Sequence, residues 1–486
     1  MNKVLKMIFA GIFFSVCTFF GVGLFFSKNS ADIEKKEKTE FPSLISEGEI
    51  NSDFSTQFEA YVNENLIFRS ELIAASNVIK TDLYKTPSSN VLIGKSGWLF
   101  FNSTYMDYVD SNHLSDKKLR SIAVTLDLIR ERIEENGGSF VFAGVPNKSS
   151  VYGEYMPSRY IKASENNLTR LYDMLDEMGV PRADFFSAYE ADQSGITLYL
   201  QKDSHWNNYG ALLGYNEILN VLGRSHDTYG GVSYEVRRDW RGDLDKLLYP
   251  IGGYYCEQYY FDIQMDNYRF TEPSNVTDTE AALANFMSDA ENGDTLFSTY
   301  NGDETDDSNL YMVRDSFARA LLPYMINAYK TCTFERTTCP SLASLPAGTD
   351  MVYEIGERNI QNLVLTAPFM MAPQRTGIVT TKIIQSDRNM AVCEDAGYAY
   401  RIYGTVDEDM IGDDARIYVT LTSDRDTYTF EAFPIYEKSL LEDKNTKSDY
   451  GFSLMLKTSS LSAGTYSVIV SSGDIETEVL ANITIE

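Results

Sequence analysis

The sequence predicts an α/β domain with a mostly parallel sheet, followed by a β-sandwich and preceded by a single membrane-spanning helix. Three features predict this. An amphipathic helix over residues 116 to 136 feeds a buried apolar strand at 140 to 145, and the same alternation recurs around 165 to 222 and 309 to 365. After Pro373 the helical stripes stop, and short alternating runs separated by Asp, Gly and Ser turns take over. At the other end, residues 7 to 26 are 20 uncharged, mainly apolar residues, long enough as a helix to cross a bilayer.

Lys3 and Lys6 precede that run, so the positive-inside rule keeps the short tail in the cytoplasm and exports everything after Lys28, with residues 1–27 as a single-pass anchor. A cleaved signal peptide is the alternative, although no A-x-A site follows the run. Residues 28–44 read as a mixed-charge juxtamembrane linker. A helix is expected at about 52 to 84 and a strand at 98 to 101. In the helix at 116 to 136, Leu119, Ile122, Ala123, Leu126, Ile129 and Ile133 form one stripe, ended by Gly137-Gly138. Residues 140 to 145 and 351 to 355 read as buried strands of one α/β domain over 45–375. Runs at 398 to 403, 415 to 421 and 464 to 470 predict a sandwich over 380–486, of Ig-like or carbohydrate-binding kind. Its tyrosines suit stacking on sugars and equally suit a sandwich core.

With 486 residues, 43% hydrophobic and 13% aromatic, the chain can bury a full core in at least two domains. A net charge of -28 argues against nucleic acid and against an anionic lipid surface, both of which call for clustered Lys and Arg. Outside the apolar run lie Cys256, Cys332, Cys339 and Cys393, which permit two disulfides in an oxidising compartment, the short Cys332/Cys339 loop being the favoured pair. No spacing resembles a zinc site, and His113 and His226 stand apart in polar contexts, so no metal and no cofactor is expected. The acidic stretch 301 to 307 lacks a full calcium-loop pattern and reads as a solvated loop.

The chemistry concentrates in two short stretches. Asp203-Ser204-His205-Trp206 sets an acid two residues from an imidazole in a chain with three histidines. An imidazole titrates near neutrality, and an acid on its other nitrogen fixes the tautomer and stabilises the imidazolium. Far downstream, Arg314-Asp315-Ser316-Phe317 joins an apolar strand to a segment with apolar residues at 318, 321, 322 and 325. Ser316 at such a turn can be a nucleophile beside outward-pointing N–H groups, or it can be an ordinary N-cap. Asp203-Ser204-His205 can likewise be a capped helix start, since Ala211, Tyr215, Ile218, Leu219 and Leu222 follow as a stripe. Asn147, Asp203 and Ser316 all fall beyond carboxyl ends of expected strands, where open α/β sheets bind ligands.

Together these stretches resemble the AlgX/AlgJ-type SGNH hydrolase-like family, also known as the DHHW proteins. Asp203-Ser204-His205-Trp206-Asn207 with Gly210-Ala211, then Arg314-Asp315-Ser316-Phe317 with Leu322-Pro323, carry the likeness. Asn65 to Arg69, Val91 to Phe100, Val145-Pro146-Asn147-Lys148 with Val151-Tyr152 and Met156-Pro157, and Gly242-Asp243-Leu244 match further family elements in order. The likeness covers about residues 45 to 370. Ordinary SGNH enzymes carry Gly-Asp-Ser early and Asp-x-x-His late; here the order is permuted, as in this subfamily, and Arg314 stands where a glycine often precedes Asp-Ser.

The resemblance implies an SGNH hydrolase-like catalytic domain in a membrane-anchored, extracytoplasmic O-acetyltransferase acting on an exopolysaccharide or cell-wall glycan. His205, oriented by Asp203, would take the proton of Ser316, and a sugar hydroxyl would attack the acetyl-Ser316 ester. Backbone N–H groups of Ser316 and Phe317 are the expected oxyanion donors, with Asn147 as a side-chain donor. Lys148 and Arg358 are candidates for substrate positioning, with surface salt bridges as the plain alternative. Because acetyl-CoA is cytoplasmic, the resemblance points to a multipass membrane acyltransferase of the MBOAT type as acetyl donor. Two other readings stay open: a carbohydrate esterase, and a non-catalytic glycan-binding assembly protein.

Overall fold

The computed structural model describes residues 3–24, 41–46, 49–79, 90–263, 268–272, 296–302, 306–397 and 399–485. Most of the expected linker 28–44, the end of the helix expected at 52 to 84, and residues 303–305 of the acidic stretch lie outside these.

An α-helix spans Lys3–Gly23, with Met7, Phe9, Ile12 and Phe14 exposed. Among the described residues no helix is long and apolar enough to cross a membrane. The helix expected at 52 to 84 is two helices, Phe54–Asn65 and Arg69–Val78. They break where Phe68 takes a left-handed φ of 58°, which an α-helix cannot accommodate.

The α/β unit is built on six strands in the order Phe140–Val145, Thr349–Gly356, Asn309–Val313, Thr331–Glu335, Leu296–Asn301, Tyr268–Glu272. The first four run parallel and the last two pair antiparallel. Every residue of Phe140–Val145 is buried, because helices cover both faces. On one face lies Asp116–Glu135, started by the Ser115 hydroxyl accepting from the Lys118 N–H, beside Asn167–Met178 with an Asn166 capping box. On the other lie Asn208–Val221 and Leu322–Ala328. The stretch expected to alternate at 165 to 222 is helical, with isolated bridges Phe142–Arg182 and Tyr199–Trp206 in place of a further sheet strand.

From Gln374 onward the strands form two sheets. The three-stranded one, Met390–Asp395, Ala399–Thr405 and Gly451–Lys457, faces the larger one across a core that includes Ile402, Val419, Phe452 and Val468. This unit leans on the α/β domain: Phe433 and Ile435 join the core cluster of Ile122 and Leu126. Arg416 donates to Asp127 at 2.6 Å and to Glu431, and Arg375 bridges Glu431 and Glu131 at 2.6 and 2.7 Å. The favoured Cys332/Cys339 disulfide is absent, and all five cysteines are free thiols. Cys332 is buried in its strand with Sγ toward the Met325 carbonyl, whereas Cys339 Sγ turns to the Ala367 carbonyl.

Candidate active site

The first motif is a tight turn, closed by the Leu200 N–H donating to the His205 carbonyl at 3.2 Å. The helix after it, Asn208–Val221, is capped by Asn207, whose side chain accepts from the Gly210 N–H at 2.8 Å. Asp203, Ser204 and His205 are therefore not needed as caps. The second motif leaves Asn309–Val313 and enters a 3-10 turn, Phe317–Leu321, before the α-helix Leu322–Ala328 begins. Ser316 makes no side-chain cap bond.

The turns meet. His205 Nδ1 lies 2.7 Å from Asp203 Oδ1, and Nε2 lies 2.8 Å from Ser316 Oγ. With a carboxylate on Nδ1, the proton sits there and Nε2 accepts from the Ser316 hydroxyl. Asp203 Oδ1 also accepts from the His205 N–H at 3.0 Å, and Oδ2 from Trp240 Nε1 at 2.9 Å and the Asp243 N–H at 3.1 Å. Burial alone would raise this carboxyl, but His205 and the Trp240 indole together hold it well below the usual carboxylate range. Asp203 is thus a charged acceptor beside a ring that is about a fifth exposed, at 22%.

Trp206 ties the motifs across 111 residues by donating from Nε1 to the Phe317 carbonyl at 2.9 Å. Its ring meets Phe317 edge-on at 5.5 Å, and His205 meets Phe317 at 4.8 Å. The serine turn is anchored separately: Asp315 accepts from the Phe317 N–H at 2.9 Å, the Gly356 N–H at 2.9 Å and Asn359 Nδ2 at 3.1 Å. Burial opposes ionisation of Asp315, yet the Arg358 charge and those N–H groups keep its pKa low. The neighbouring Glu354 accepts from the Asp315 N–H at 2.8 Å, and burial together with the Asp315 charge pushes its pKa well above the ordinary value.

The second tier of expected residues is partly corrected. The Phe317 N–H is already taken by Asp315, so it is not an oxyanion donor in this geometry; the Ser316 N–H has no partner among the described residues. Asn147 is 1% exposed, its side-chain amide given to Asp107 at 2.9 Å and its N–H to Glu357 at 2.7 Å, so it braces the strand end and does not face Ser316 as a donor. Lys148 is 3% exposed and donates to the carbonyls of Leu200, Gln201 and Asp203, which leaves no proton for a substrate. Arg358 is only partly buried, its guanidinium 5.2 Å from the Phe317 ring and 5.7 Å from Phe101, so its charge remains beside the site.

Asp243, Trp240 and Asp315 had no role in the sequence reading. Gly242-Asp243-Leu244 was visible as a motif, and the structure shows why glycine precedes the acid: a Cβ at Gly242 would lie 2.1 Å from the Lys202 carbonyl. That approach lets Asp243 accept from the Ser204 N–H at 2.7 Å. Asp203, His205 and Asp243 place ligand-type atoms within 4.8 Å of one another. Both Asp203 oxygens and the facing Asp243 oxygens are engaged by N–H and O–H donors, which makes this a hydrogen-bonded network rather than an open cation cage.

A parallel-rich α/β sheet with an Asp-His-Ser array at its carboxyl edge defines an SGNH hydrolase-like domain. Residues 91–293 match the family described as SGNH hydrolase-like domain, acetyltransferase AlgX, which places that stretch in the AlgX/AlgJ-type family. The matched stretch includes Asp203 and His205 and ends before Ser316. The chain is 21% identical over 227 residues to the probable alginate O-acetylase AlgJ of Azotobacter vinelandii, covering 46% of this chain and 54% of that protein. It is 22% identical over 172 residues to the probable alginate O-acetylase AlgJ of Pseudomonas putida, covering 34% and 44%. The chain thus spans about half the length of the curated relatives it matches. Among solved structures, Bacillus cereus PatB1 with a sulfonyl adduct is similar at a TM-score of 0.42 and 15% identity, over 56% of this chain and 94% of that one.

Proposed function

We propose that this protein is an extracytoplasmic O-acyltransferase that acetylates a polysaccharide hydroxyl through an acetyl-Ser316 ester. The observation that carries the reading is the unbroken line from Asp203 Oδ1 through both nitrogens of His205 to Ser316 Oγ, at 2.7 and 2.8 Å. As Ser316 Oγ attacks the acyl carbon, its proton passes to Nε2, and Asp203 stabilises the imidazolium that forms. The unpartnered Ser316 N–H is the first oxyanion donor, and the Arg358 charge favours the same negative oxygen. The leaving group takes the proton back from Nε2. A sugar hydroxyl then gives its proton to Nε2, attacks the ester and leaves acetylated, restoring Ser316. The names of the AlgJ relatives support acetyl as the acyl group and a polysaccharide as acceptor.

In this reading 45–375 is the catalytic domain and 380–486 a sandwich at its flank. In the same reading the apolar run at 7 to 26 holds the protein at a membrane, its side chains Ile8, Phe9, Ile12 and Phe13 being exposed. The donor partner is a multipass MBOAT-type acyltransferase, since one helix without intramembrane charge cannot carry acetyl across a bilayer.

The test is turnover of a chromogenic acetyl ester. Ser316→Ala and His205→Ala should each lower kcat at least about 10,000-fold, and the double variant should be little worse than either, because triad members act as a unit. Activity surviving in Ser316→Ala removes this reading. Loss of the gene should lower glycan acetyl content; a rise would decide for an esterase.

A further inference from the structure

Lys148 is a buried charge that the proposed reaction does not use. It opens the short helix Lys148–Val151, just beyond the strand Phe140–Val145, and is 3% exposed. Its Nζ donates to the backbone carbonyls of Leu200 at 3.0 Å, Gln201 at 3.2 Å and Asp203. An ammonium has three protons, and all three are spent on one turn. The amide side of that turn points the other way, with the His205 N–H on Asp203 Oδ1 at 3.0 Å and the Ser204 N–H on Asp243 Oδ1 at 2.7 Å. The turn is therefore polarised, its carbonyls converging on a cation and its amides on two carboxylates. The Trp98 and Phe100 rings lie 5.6 and 5.3 Å from the ammonium, within cation–π range.

We propose that Lys148 is a positioning residue, whose ammonium gathers the three carbonyls and so sets the turn that aims Asp203 at His205 and His205 at Ser316. This rests on the triad reading above and adds a group that acts through the backbone alone. The charged and titratable groups facing Nζ are Asp203, Asp243, Cys256 and Lys202; the carboxylates favour the ammonium and Lys202 opposes it. Burial outweighs them and brings the Lys148 pKa down to about 8. Deprotonation removes the charge and one donor, so the turn loosens as pH rises through that value.

Lys148→Met keeps the length of the side chain and removes every donor, while Lys148→Arg keeps a charge that does not titrate. Lys148→Met should lower kcat on a chromogenic ester about 100-fold, as small misplacements of catalytic groups do, with KM changed less than about threefold. Lys148→Arg should recover part of that loss and move the alkaline limb of the pH profile upward by about one unit or more, because guanidinium stays charged. The readout that needs no substrate is the low-field proton resonance of His205 Nδ1–H on Asp203, expected in the wild type and in Lys148→Arg and lost in Lys148→Met. A Lys148→Met protein that keeps this resonance overturns the proposal, whether or not its kcat has fallen with stability. If Lys148→Met does not fold, an unshifted alkaline limb in Lys148→Arg overturns it instead. Absence of ester turnover in the wild type would sink the reaction and not this inference, since the resonance still decides it.

Discussion

The turn that carries Asp203 and His205 and the turn that carries Ser316 meet at one hydrogen bond of 2.8 Å, yet they are held in opposite ways. The first is clamped from outside by polar side chains of distant segments: Lys148 on its carbonyls, Asp243 on its Ser204 amide, and Trp240 on its acid. The second is held by its own acid, since Asp315 gathers the Phe317 and Gly356 N–H groups and Asn359. In the first turn the acid that organises the loop is also the partner of the base. In the second, the acid organises the loop and leaves the nucleophile untouched. Substitutions should therefore separate orientation from stability in one turn and merge them in the other.

The sharpest break is Asp203→Asn. It keeps the side-chain shape but turns an acceptor pair into a mixed amide, so kcat should fall by about 10,000-fold, as for a mis-set tautomer. Ester kinetics across pH check it, and a loss under about tenfold would mean that Ser204 and Asp243 orient His205 without Asp203.

Next is Asp315→Asn, which should show first as stability. Three hydrogen bonds to a buried carboxylate weaken together, at a loss of about 1–3 kcal/mol in urea unfolding. Activity should fall in the same variant because Ser316 moves with the turn. Unchanged unfolding would mean that the strand end Thr349–Gly356 holds the turn without Asp315.

The acid limb tests both carboxylates at once. Asp203 and Asp315 have pKa values below their unfolded ones, so the stability they contribute is present above the unfolded value near 4 and is lost as pH falls through the folded values. Glu357 has the opposite sign. Burial and the neighbouring Asp107 raise it to about 7, so its contribution is complete below its unfolded value near 4.5 and lost as pH rises through about 7. Glu357→Gln should flatten the stability profile between those two values while leaving the acid limb in place, measured by thermal unfolding against pH.

The smallest expected effect is Trp206→Phe. It removes the bond to the Phe317 carbonyl at 2.9 Å and keeps most of the ring contact, at about 1 kcal/mol and a few-fold in kcat. A much larger loss would show that the two turns depend on this indole strut more than on their own anchors.

The elements that periodicity encodes were legible. The helix read at 116 to 136 is Asp116–Glu135, and the strand read at 140 to 145 is Phe140–Val145, because a local pattern of apolar side chains has one way to face a core. Residues of the array were legible for another reason: each pairing alone also suits a helix cap, and it is the resemblance of both motifs together to one family that singles them out. The 3-10 turn after Ser316 was not, since its apolar spacing also suits an α-helix.

By itself, then, the sequence singled out Asp203, His205 and Ser316 as candidates, placed the strands at 140 to 145 and 351 to 355, and showed that a second all-β unit follows. The tertiary structure alone decided how those side chains are used. Lys148 and Asn147 read as substrate contacts because their charge and amide are visible in sequence, while the carbonyls and carboxylates that consume them come from residues far along the chain. The Phe317 N–H read as an oxyanion donor until Asp315 was seen to fold back on it. The sandwich read as a separate module, although Phe433 and Ile435 pack into the α/β core. In each case the missing fact is a partner rather than a residue type, and partners are set by packing in three dimensions, which no local pattern records.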